Sequence, residues 1–145
     1  MNPADLDRVL VSGVYRIADA AALSRLLSAA RERGYQVCTL DLAGVQTKEA
    51  LLSRAAQALQ CPPYFGGNWD AFEECVNDLA WLPAQGYLLH VTRPEGLACG
   101  APEVFGTLLD ILREAAERWK AAGTPFVVLV ESGERSTFGP GISPI

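Results

Sequence analysis

The chain has 145 residues, half of them hydrophobic, with 12 basic and 17 acidic side chains, a formal charge of −5 and an isoelectric point near 4.8. That length suits one compact domain with a substantial core. The acidic balance argues against direct nucleic-acid binding, which needs a basic footprint, and no apolar run approaches the ~20 residues of a membrane span.

The start, Met1-Asn2-Pro3-Ala4-Asp5, has neither the basic region nor the apolar run of a signal peptide, so a cytoplasmic location is expected. Cys38, Cys61, Cys75 and Cys99 are scattered without a C-x-x-C, and His90 is the single imidazole. Neither a zinc site nor a redox pair nor a cofactor is expected from them, and reduced, mostly buried thiols are the default.

Beyond a loose leader to about Asp7, Val9–Val11 and Val14–Ile17 are β-prone pieces broken by Ser12-Gly13. Asp19 is placed to cap a helix in which Ala22, Leu23, Leu26, Leu27 and Ala30 recur at helical spacing, and Gly34 is a natural stop. Tyr35 to Leu42 alternates as a strand. Thr47 can cap the next helix, whose stripe is Ala50, Leu51, Ala55, Ala58 and Leu59.

After a further helix from Trp69, the run Tyr87–Val91 is nearly all apolar and predicts a strand covered on both faces. Arg93 to Pro102, rich in Gly and Pro, is expected to be a surface loop. A long helix follows from about Pro102 to Ala122, stopped by Gly123, and then a second wholly apolar strand, Phe126–Val130. The tail, residues 132–145, is expected to be irregular. The predicted order is β-α-β-α-α-β-α-β: a single small α/β domain with a mostly parallel three- to four-stranded sheet packed with helices.

The stretch Pro62 to Asp78 stands out. Two prolines and Gly66-Gly67 shape a turn, Asn68 can cap the helix, and Asp70 lies where the helix dipole favours a negative charge. Trp69, Phe72, Cys75, Val76 and Leu79 recur at core spacing, which leaves Asp70, Glu73, Glu74, Asn77 and Asp78 on the other face. Asp70/Glu74 and Glu74/Asp78 are like-charge pairs at i,i+4, each destabilising a helix by roughly 0.2–0.5 kcal/mol. No Lys or Arg occurs between Arg54 and Arg93 to offset them. A solvated acidic face is one reading; an anionic surface built to meet a cation is the other.

Enzymatic readings fare worse. Gly66-Gly67 is neither a G-x-G-x-x-G turn nor a P-loop, His90 sits inside an apolar strand as a satisfied core histidine would, and Cys75 falls on the buried face. Asp70 and Glu74 could serve a small hydrolase only if they lined a concave pocket, and one turn apart on a convex helix they do not suggest one.

The segment Pro63-Tyr64-Phe65-Gly66-Gly67-Asn68-Trp69-Asp70-Ala71 resembles the signature of the barstar-like family, intracellular inhibitors of barnase-type ribonucleases. The likeness extends back to Tyr35 and forward to Val130, leaving residues 8–34 as an added strand–helix unit that supplies an edge strand. The resemblance implies a monomeric, non-enzymatic plug without metal or cofactor. Its loop and helix would occupy the cationic active site of a basic, extracellular-type ribonuclease. It assigns partner-binding roles to Tyr64, Asn68, Asp70, Glu74 and Asp78. On the later helix it assigns one to Glu114, aligned through Arg113-Glu114-Ala115, although counting back from Gly123 selects Arg118. Glu74 stands where the family's chief phosphate-mimicking aspartate sits, with one methylene more. A barstar-fold interaction or regulatory module for another basic partner is the alternative.

Overall fold

The computed structural model describes residues 10–62, 67–132 and 143–144. Its elements are β1 (Gly13–Ile17), α1 (Ala20–Glu32), β2 (Tyr35–Asp41), α2 (Lys48–Ala58), α3 (Trp69–Asp78), β3 (Gly86–Thr92), α4 (Glu95–Gly100), α5 (Pro102–Ala121), β4 (Phe126–Glu131) and β5 (Ser143–Pro144). The sheet runs β2-β3-β4-β1-β5 and every pairing is parallel. The α/β architecture is as the alternation of elements predicts.

Local chemistry fixes the helix starts. Asp19 Oδ1 accepts from the amides of Ala21 and Ala22, Thr47 Oγ1 from Ala50, and Asn68 Oδ1 from Ala71 at 2.7 Å. Each fills one or two of the amides a helix start leaves without an intrahelical partner. At the other ends Gly34 and Gly123 take positive φ, the conformation in which glycine carries no Cβ penalty.

The sheet separates two cores. On one face α1 packs Leu23, Leu26 and Ala30 against Ile17, Leu88, Val127 and Leu129. On the other, α2, α3, α4 and α5 close over Leu40, Leu89, Val91, Val128 and Val130. Strands β3 and β4 therefore bury both faces, which is why their sequences are mostly apolar rather than alternating.

Three expectations are corrected. The stretch expected to be a surface loop contains α4, because burying Leu97 completely outweighs the poor helix propensity of Gly96 and Gly100. The tail is not wholly irregular, since Ser143 and Pro144 pair in parallel with Tyr15 and Arg16. The added unit supplies β1 beside β4, and β5 then covers part of its outer edge. The third correction concerns sulfur: Cys61 and Cys75 are joined in a disulfide. The remaining thiols, buried Cys38 and exposed Cys99, are free.

Candidate functional site

Helix α3 is locked on one side and bare on the other. Phe72, Cys75, Val76 and Leu79 are buried and Trp69 is half-buried, its ring edge-on to Phe72 with centroids 6.3 Å apart. At the C-terminal end of α3 the amide of Leu79 makes the last i→i−4 bond, to Cys75 O, and Trp119 Nε1 donates to Val76 O from outside the helix at 2.9 Å. Leu79 closes the helix in the left-handed region at φ 52°, a conformation its burial must hold in place.

The entry to α3 is built just as specifically. At the end of α2, Gln60 adopts φ 54°, its amide donating to Gln57 O and that of Cys61 to Ala56 O. These two bonds form a Schellman turn, and they turn the chain back so that Cys61 meets Cys75 across a Cα separation of 6.5 Å. Trp81 Nε1 donates to Leu59 O at 3.0 Å and ties the segment after α3 to the same turn.

On the bare side Asp70, Glu74 and Asp78 are exposed and Glu73 and Asn77 are half-buried. Successive members of the Asp70-Glu74-Asp78 stripe stand roughly 6 Å apart along the helix. Among the described residues none of these four carboxylates is ion-paired. The ion pairs lie elsewhere, as Asp41 with Arg93, Asp110 with Arg113, and His90 with Glu131 at 3.1 Å. Asp41 also accepts from Ala43 N at 3.0 Å; that bond first, and Arg93 next, hold its carboxyl below the usual range.

The sequence-assigned residues divide. Asn68, Asp70, Glu74 and Asp78 come together on the start and outer face of α3, and Asn68 is at least an N-cap. Tyr64 lies outside the described residues. Glu114 is exposed on α5 but lines a groove of about 370 Å³ with Ser12 to Tyr15, Arg113 and Glu117, on the flank of α5 that faces β1. Helix α3 packs on α5 through residues such as Trp119. The other groove, about 340 Å³, is lined by Thr39, Asp41, Arg54, Gln57 and Ala58, and likewise excludes the stripe. His90, 9% exposed and partnered by Glu131, is a satisfied core residue. Among the described residues no group of three or more His, Cys, Asp or Glu could hold a metal ion.

Fold and site together define a small parallel α/β domain that presents one rigidly mounted acidic helix. The family model described as "Barstar (barnase inhibitor)" matches residues 35–131, about two thirds of the chain, and the chain belongs to that family. No curated protein matches it significantly. Among solved structures, one of Drosophila ORC bound to DNA aligns at 18% identity and TM-score 0.55, over 85% of this chain and 32% of that one. Cdc6p from Pyrobaculum aerophilum aligns at 16% identity and TM-score 0.59, over 97% of this chain and 43% of that one. The chain thus spans less than half the length of either, and the likeness is one of fold. At the β1–α1 turn, where a parallel α/β fold can hold an anion on helix amides, the carboxylate of Asp19 already occupies Ala21 N and Ala22 N.

Proposed function

We propose that this protein inhibits a basic, barnase-type ribonuclease by laying the start and outer face of α3 into the enzyme's cationic active site. One observation carries the reading: Asp70, Glu74 and Asp78 form an exposed stripe that makes no ion pair among the described residues, on a helix whose opposite face is fixed by burial and by Trp119. A ribonuclease must keep Arg, Lys or His groups for its phosphate, and carboxylates on a preformed helix meet them without reorganisation. The family's description supports the same partner class. In this reading the protein acts as a monomer in the cytoplasm, by occlusion rather than chemistry, as an immunity or antitoxin partner would. Glu74, longer than an aspartate, sets which member of the nuclease class fits.

Titration of the protein into a barnase-type ribonuclease at low ionic strength tests this. Stoichiometric loss of nuclease activity, weakened by salt and by the Asp70→Ala, Glu74→Ala pair, is expected. Inhibition indifferent to both changes would remove α3 as the binding face, and capture of a basic protein that is not a nuclease would favour a regulatory module on the same fold.

A further inference from the structure

We propose that Trp69 and Glu73 form a guanidinium clamp on the shoulder of α3, a site that takes an arginine of the partner in preference to a lysine. The clamp lies beside the proposed acidic face and adds selectivity to it, but it recognises a chemical group rather than one enzyme. Its starting point is a mismatch in the core pattern. Of the five residues at core spacing, Phe72, Cys75, Val76 and Leu79 are at most 5% exposed, whereas Trp69, the first residue of α3, is only half-buried.

The chain's three tryptophans divide in the same way. Trp81 donates its indole N–H to Leu59 O and Trp119 to Val76 O, so each is held by its polar edge as well as its ring. The Trp69 N–H has no acceptor among the described residues, and its ring has one aromatic neighbour there, Phe72, met edge-on. Among the described residues the buried side-chain polar atoms without a partner are Asn77 Oδ1 and Ser132 Oγ, so the Trp69 N–H is not one of them and lies at the surface. One side of the indole packs on the core, and the remainder is open to a partner.

Glu73 lies four residues on, on the same flank of the helix, where such side chains stand with Cβ atoms about 5–6 Å apart. It too is half-buried, and it makes no ion pair among the described residues. A carboxylate beside an aromatic face suits a guanidinium, whose plane can stack on the indole while its N–H fork donates to the carboxylate. An ammonium group is a compact, strongly hydrated point charge with no planar face to stack. Partial burial of both side chains weakens the competition from water, so the pair gains more here than on a fully exposed flank. The neighbouring stripe of Asp70, Glu74 and Asp78 is exposed and has no aromatic member, so it attracts cations of either kind by charge.

Equally charged peptides read the clamp without any particular partner. Fluorescence polarisation of labelled hexa-arginine and hexa-lysine against the full-length protein at low ionic strength should show arginine preferred. That preference should be about fivefold larger in the parent than in Trp69→Leu or Glu73→Gln. Glu73→Gln, near-isosteric and outside the core, separates loss of the clamp from any loss of packing at position 69. Asp70→Asn with Glu74→Gln should weaken both peptides alike and leave the preference standing.

On the proposed reading, Trp69→Phe should leave a barnase-type ribonuclease about threefold faster and Trp69→Leu about tenfold faster, both at the parent's association rate. An arginine preference unchanged by these substitutions, or a nuclease complex indifferent to both Trp69 variants, would overturn the clamp and leave the acidic face standing. A preference that falls as expected in a protein that inhibits no such ribonuclease would uphold the clamp and sink the nuclease reading.

Discussion

Trp119 of α5 donates its indole N–H to the carbonyl of Val76 in the last turn of α3, 43 residues away in sequence, at 2.9 Å. The same indole ring lies near-parallel to Phe126 of β4, with centroids 6.5 Å apart, and 5.1 Å from Tyr87 of β3. One side chain thus fixes the acidic helix to the long helix and to both central strands. Trp119→Phe keeps much of the aromatic contact but leaves a helix-end carbonyl without its donor. A loss of about 1–2 kcal/mol in urea unfolding is expected, with faster exchange confined first to the end of α3.

The acidic stripe should behave oppositely. Asp70→Asn with Glu74→Gln removes like-charge repulsion at i,i+4, worth roughly 0.2–0.5 kcal/mol per pair, so the urea midpoint should hold or rise. Association with a basic ribonuclease should meanwhile slow by about tenfold at low salt, and the difference should shrink as salt screens it. Glu114→Gln, on the flank facing β1, should leave the urea midpoint unchanged and slow association less than the α3 pair does. Stopped-flow association across a salt series separates the three proteins.

Much of this arrangement is legible in the sequence where the cause is local. Asp19, Thr47 and Asn68 are readable as caps because each satisfies amides within three residues, and the Asp70-Glu74-Asp78 stripe is readable from helical spacing alone. The rest depends on distant partners. Leu97 makes α4 helical by burying itself against its neighbours, which a run of Gly and Pro conceals. Cys61 and Cys75 carry no pairing motif, and they meet because Gln60, a residue with no propensity for positive φ, turns the chain. Trp81 looks like plain packing until its bond to Leu59, 22 residues earlier, is seen. Which flank of α5 carries Glu114 depends on β1, and β1 lies outside the family match.

Asp41 gives a pH signature. Hydrogen bonding from Ala43 and pairing with Arg93 lower its folded-state pKa below the unfolded value, near 3.9 for an ordinary aspartate. The stabilisation is therefore fully present above that unfolded value and is lost as pH falls through the folded one. Asp41→Asn should be less stable than the parent at neutral pH, and the gap between them should close on acidification below about pH 4. Urea midpoints at neutral, weakly acidic and strongly acidic pH check the sign; a gap that widens in acid would contradict it.

Gln60 offers a test of the turn that orients Cys61. Its φ of 54° places an exposed, non-glycine side chain in the left-handed region, at a cost of about 1–2 kcal/mol. Gln60→Gly removes that strain but enlarges the conformational freedom of the unfolded chain, which takes back about 0.4–1 kcal/mol. The net should be a gain of about 0.5 kcal/mol, read as a higher urea midpoint at constant m-value. Gln60→Val, β-branched and still less tolerant of positive φ, should lower the midpoint. Because the turn's two hydrogen bonds, Gln60 N to Gln57 O and Cys61 N to Ala56 O, aim Cys61 at its partner, the valine variant should also form the Cys61–Cys75 bridge more slowly on air oxidation after reduction, and the glycine variant at least as fast as the parent. Thiol titration during reoxidation measures that order directly, and equal rates in all three would mean the bridge forms without help from the turn.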